Sequence, residues 1–99
     1  MGLTEALQEL QLVVGRVLKA GPHPGARAPS LLLQVDLGGL GTREASVESA
    51  GIESGQLHDV LIVCAVHGDE VVVLAARSHA HGSVLVRPDR EVEPGTIVA

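Results

Sequence analysis

Between residues 15 and 38 the chain runs through an apolar stretch, a bend built on Pro22, Pro24 and Pro29, and a second apolar stretch ending on Gly38 and Gly39. Nothing else in the sequence narrows the fold as much. Proline cannot donate to a sheet ladder, so the bend is placed outside the strands and the two flanking runs are separate strands. The first, Leu12 to Ala20, sets Val13, Gly15, Val17 and Lys19 on one face and Leu12, Val14, Arg16 and Leu18 on the other. Gly15 inside it predicts a bulge or sharp coil, as small barrels require. The second, Ser30 to Leu37, carries consecutive leucines and is expected to be covered on both faces for part of its length.

Further short strands follow. Gly38 to Gly41 reads as a hairpin turn, and Thr42 to Glu48 alternates as a strand with one exposed face. Ser49 to His58 has no strong period and reads as a loop with at most one helical turn. Asp59 to Val66 is an apolar strand. His67-Gly68-Asp69 is a tight turn, with Gly68 expected at positive φ, and Glu70 to Ala75 returns antiparallel. The ribbon so formed should run from Asp59 to Ala75. Arg77 to Gly82 reads as a turn, and Ser83 to Val86 and Thr96 to Val98 as short strands. Ahead of all this, Thr4 to Leu10 reads as a two-turn helix with Leu3, Leu7 and Leu10 on one stripe. So short a helix is unstable alone, so the stripe is expected to be buried on the barrel or on a second subunit.

Composition limits the core and the partners. The 99 residues suit one domain over 1–99, and 45% of them are hydrophobic, which excludes a disordered chain. There is no Phe, Tyr or Trp, so the core is aliphatic and the stacking platforms used by single-strand nucleic-acid binders are absent. Twelve acidic against seven basic residues give a net charge of −5, which opposes non-specific phosphate binding. Arg16, Lys19 and Arg27, joined by Arg43, are the clustered cations from which a ligand-binding patch for peptide or RNA could be built. The single cysteine, Cys64, lies in an apolar run and reads as a buried thiol, not a nucleophile. His67, His79 and His81 leave a metal question open, although zinc would need a third or fourth ligand, and solvent-facing loop histidines are the simpler reading. No catalytic constellation, phosphate-cradling loop, cofactor motif, signal peptide or membrane-length apolar run is recognised. The expectation is a cytoplasmic protein that is not an enzyme and does not engage a membrane.

Several segments carry a family resemblance. The stretch from Gly15 to Gly38, with its Ala26-Arg27-Ala28-Pro29-Ser30 pattern, and the C-terminal run from Gly82 to Val98, with Arg87-Pro88-Asp89-Arg90-Glu91-Val92 at its centre, resemble the tRNA-binding-domain OB-fold family in its CsaA-like branch of export-related chaperones. The Val63-Cys-Ala-Val66 strand and Glu70-Val-Val-Val-Leu74 resemble the same branch, with a shortened loop between them. The resemblance implies an all-β, five-stranded OB-fold barrel with a short N-terminal helix and C-terminal extra strands. It also implies a homodimer. The missing loop is one that family members use for tRNA or for a peptide groove, and its basic residues go with it. Three functions are therefore carried forward: a chaperone-type binder of unfolded or precursor polypeptide, a structure-specific tRNA binder, and a trimmed dimeric interaction module.

Overall fold

A computed structural model describes residues 2–25, 27–49 and 51–98, and for Leu7 and Gln8 the backbone alone. A short helix α1 (Leu3–Glu9) precedes eight strands: β1 (Gln11–Pro22), β2 (Ser30–Asp36), β3 (Thr42–Glu48), β4 (Leu61–His67), β5 (Glu70–Val73), β6 (Ala75–Ser78), β7 (Gly82–Leu85) and β8 (Ile97–Val98). Strands β1 to β5 close on themselves in the order β1-β2-β3-β5-β4-β1. Every pairing is antiparallel except the closure of β3 on β5, a single parallel pair at Ser46 and Val72. The β6–β7 hairpin forms a separate two-stranded sheet, and β8 adds to β1.

Strand β1 organises the barrel. Its first half pairs with β4 from Gln11↔Val66 to Arg16↔Leu61, and its second half with β2 from Arg16↔Asp36 to Pro22↔Leu31. Pro22 is thus the last residue of the strand, not part of the bend. It tolerates that place because the ladder is continued by the next amide, with His23 N donating to Ser30 O. The bulge lies between Val17 and Lys19, at Leu18, and not at Gly15. Gly15 serves close packing instead. A Cβ there would stand 2.4 Å from Val35 Cγ1 and 2.9 Å from Leu37 Cδ2.

The core is aliphatic throughout. Val13, Val17, Leu33, Val35, Leu37, Ile62 and Cys64 are fully enclosed inside the barrel. The strand covered on both faces is β4, not β2. Leu31 and Leu33 of β2 point inward, while Leu32 between them is half-buried on the outside. On β4, Ile62, Cys64 and Val66 face the core, and the alternate Leu61 and Val63 are buried too. Their cover is the segment after β7: Val63 N donates to Val86 O, and Gly95 N donates to Val14 O.

The Gly68-Asp69 turn closes β4 onto β5 between His67 and Glu70. Gly68 has φ +58° and Asp69 does not share the sign, the pattern of a type II′ hairpin. The ribbon stops at Cys64↔Val73, short of the expected Asp59 to Ala75. At Leu74 the chain changes sheets: its amide donates to Val63 O while its carbonyl accepts from Val86 N. The expected turn at 77–82 is correspondingly smaller. Arg77 and Ser78 belong to β6, Gly82 to β7, and only 79–81 turn. The Ser78 hydroxyl accepts from the amides of Ala80 and His81 to hold that tip.

The helix forms close to where it is expected, one residue earlier at each end. Leu3 is 78% exposed and Leu10 is also exposed, so of the two expected covers for the stripe the barrel does not bury either of these leucines. The Leu7 side chain lies outside the described residues.

Candidate binding face

The outer surface of β1, β2 and β3 faces solvent between two loops, the bend at 23–29 and the tight turn at 68–69. Register defines its rows. One row runs Lys19, Gln34, Glu44; the next runs Gly21, Leu32, Ser46 and crosses the parallel closure to Val72. Gly21 leaves open space above the strand, with nothing within 4 Å of where a Cβ would sit. Lys19, Gly21, Pro22, Leu32, Gln34 and Glu44 surround a depression of about 220 Å³. Val72, 52% exposed, extends the apolar part.

The loops are pinned from this face. His23 Nδ1 lies 3.2 Å from the Ser46 hydroxyl, and Ser49 N donates to Pro29 O. The bend is therefore tied to β3 on both sides. At the opposite rim stand Asp69 and Glu70, both exposed. Arg77 of β6 lies 3.3 Å from Glu48 of β3.

The four candidate cations are not gathered on one surface. Lys19 projects on the face just described. Arg27 is exposed in the bend; Ala26, which opens its motif, lies outside the described residues. Arg43 is half-buried and pairs in register with inward-facing Val35, so it sits on the other side of β3 from Glu44. Arg16 is engaged elsewhere. Its guanidinium donates to Asp59 O at 2.8 Å, lies 3.6 Å from the Asp59 carboxylate, and pairs with Glu91. The hydrogen bond to Glu91 raises the Arg16 pKa further above its usual value. Arg16 thereby ties β1 to the segment that covers β4, and Asp59, held at φ +68°, is part of the clasp. Sequence reasoning could not find this role, because Glu91 lies 75 residues away.

Cys64 has no exposed surface, and burial pushes its thiol up to about 11. Among the described residues no group of three His, Cys, Asp or Glu is arranged to hold a metal. His79 and His81 stand at the β6–β7 tip, and His67 at the β4–β5 turn. No helix among the described residues is long and apolar enough to cross a membrane.

The closed five-strand barrel, its parallel β3–β5 closure and its loop-flanked face define an OB fold. No family model and no curated protein matches the chain. Solved structures do. The chaperone CsaA from Bacillus anthracis str. Ames superimposes with TM-score 0.88 at 28% identity, over 100% of this chain and 99% of that one. The CsaA chaperone protein from Picrophilus torridus gives 0.87 at 22%, over 100% of both chains. A MetRS related protein from Pyrococcus horikoshii gives 0.80 at 18%, over 100% and 98%. The chain is thus similar in fold, over its full length, to CsaA-like and tRNA-binding-type OB-fold proteins.

Proposed function

We propose that this protein is a non-enzymatic, chaperone-type binder of extended polypeptide that works as a single domain in the cytoplasm. The observation that carries this reading is the outer row Gly21–Leu32–Ser46–Val72. It offers open space, two accessible aliphatic side chains and no aromatic platform. An extended peptide can lay its side chains in such a depression and bond through its backbone. Stacked bases would find no partner there. The acidic turn at Asp69 and Glu70 also disfavours a phosphate backbone. Similarity to proteins named as CsaA chaperones supports the same direction. The buried, unpaired Cys64 suits a reducing compartment.

A homodimer belongs to this reading. Leu3 on α1, Leu10 just after it and Ile97 on β8 are exposed aliphatic side chains, and both elements adjoin the start of β1. Joining two copies there would cover them.

Structure-specific tRNA binding is the second reading. Lys19, Arg27 and Arg43 are absent from the ion pairs among the described residues, and they remain its candidate contacts. A titration with labelled, carboxymethylated unfolded polypeptide and with labelled bulk tRNA, each at low and high salt, separates the two. Polypeptide binding that is weakened by Leu32→Lys, with weak and salt-sensitive tRNA binding, is expected. Tight tRNA binding lost in Arg27→Glu, without polypeptide binding, would replace the first reading by the second.

A further inference from the structure

A second cleft lies away from the binding face, where the connector between β3 and β4 meets β7. Among its described residues that connector carries one short turn of 3-10 helix, Ser54–Gln56. The resulting space is about 310 Å³, at the lower end of the range for small-molecule sites. Its walls are chemically distinct. Leu57 and Ser83, 5% and 8% exposed, lie deep in it, and Ile52, Val60 and Leu85 pack beside them against the core. Glu53 stands on the connector side and Arg87 on the side that follows β7, with His81 at the hairpin tip. Neither Glu53 nor Arg87 takes part in an ion pair among the described residues.

Gly51, at φ +83°, packs so closely on the hairpin that a Cβ would stand 1.9 Å from His81 O. The connector and the hairpin tip are thus in close backbone contact at one end of the cleft.

We propose that this cleft binds a small aliphatic zwitterion, an amino acid or a short peptide with free ends. The carboxylate pairs with Arg87, the ammonium pairs with Glu53, and the aliphatic body lies over Leu57 and Ile52. The opposed charges decide the class. A simple carboxylate would leave Glu53 facing an anion, and a simple amine would leave Arg87 facing a cation. An apolar molecule without charge would fill the floor but bring no partner for either wall. This site is independent of the polypeptide-binding face and stands whether or not that reading holds.

The test is an amide-resolved NMR titration of the full chain with L-leucine and with the dipeptide Leu-Leu. The comparison ligands are 4-methylpentanoate and isoamylamine, which each keep one charge. Shifts confined to residues 51–57 and 81–87 at millimolar zwitterion are expected. Arg87→Ala and Glu53→Gln, both at exposed positions, should weaken binding by about tenfold each, the scale of one lost charge-assisted hydrogen bond, while the rest of the spectrum stays unchanged. Preference for leucine over the dipeptide, or the reverse, assigns the free amino acid or the peptide as the source. No local shifts with either zwitterion would overturn the proposal. Equal binding by the singly charged ligands, or binding indifferent to both substitutions, would overturn it as well.

Discussion

Gly15→Ala tests the packing of the barrel at its tightest point. The added methyl carbon would lie 2.4 Å from Val35 Cγ1, 2.9 Å from Leu37 Cδ2 and 3.3 Å from Asp36 O. Side-chain ends normally move aside, but Val35 and Leu37 are both 0% exposed and have no room to do so. Overpacking of this kind costs about 1–3 kcal/mol. Against it, removing a glycine restricts the unfolded chain and returns about 0.4–1 kcal/mol. The net expectation is a loss of about 1–2 kcal/mol, or a drop in Tm of roughly 4–16 °C for a domain of this size. Gly21→Ala is the matched control, because it lies on the same strand with nothing within 4 Å. It should be neutral or stabilise by up to about 1 kcal/mol. With no aromatic residue to report by fluorescence, urea unfolding followed by far-ultraviolet circular dichroism is the assay. Equal midpoints for the two variants would refute the close-packing account of Gly15.

Cys64 predicts an alkaline weakness. Its thiol is raised by burial from 9.0 to about 11, so between those pH values the unfolded thiol ionises while the folded one does not. Stability from this group is fully present below pH 9 and falls as pH rises towards 11, by about 2–3 kcal/mol in all. Urea midpoints across that window should lose this slope in Cys64→Val, and an unchanged slope would refute the assignment. Gly68→Val forces a β-branched side chain to φ +58° and should cost about 1–2 kcal/mol, read from the same unfolding curves. If the exposed aliphatic residues on α1 and β8 join two copies, Leu3→Lys with Ile97→Lys should shift sedimentation from dimer to monomer while leaving the dichroism spectrum unchanged. A wild-type monomer would end the dimer proposal.

Local patterns in the sequence located most of the barrel, and the misses share a cause. Thr42–Glu48 alternates between turn signals, and it forms β3 with the expected bounds. The His67–Glu70 turn was legible from Gly68 alone. By contrast, Glu70 to Ala75 has no punctuation, and its division at Leu74 depends on Val63 and Val86, each far away in sequence. The bulge likewise lies at Leu18 and Gly15 packs closely on Val35 of β2, contacts that a single strand's pattern does not display. Doubled cover of β4 came from residues 86–96, whose own sequence shows no strand period. The candidate cations were read from proximity along the chain. Register then placed Arg43 on the other face of the sheet from Lys19, and a distant Glu91 claimed Arg16. The cleft at Glu53 and Arg87 had no sequence signal, since its walls are 34 positions apart.

The sharing of β1 among three partners has a consequence for synthesis on the ribosome. Its second half can pair with β2 as soon as residue 36 has emerged. Its first half pairs only with 61–66 and 97–98. Leu12, Val13 and Val14 therefore wait as an unsatisfied, aliphatic strand edge through most of the chain's translation. Such an edge is what other nascent chains add to. A protein that reads as a holder of extended polypeptide must itself pass through a period as an extended polypeptide in need of a holder.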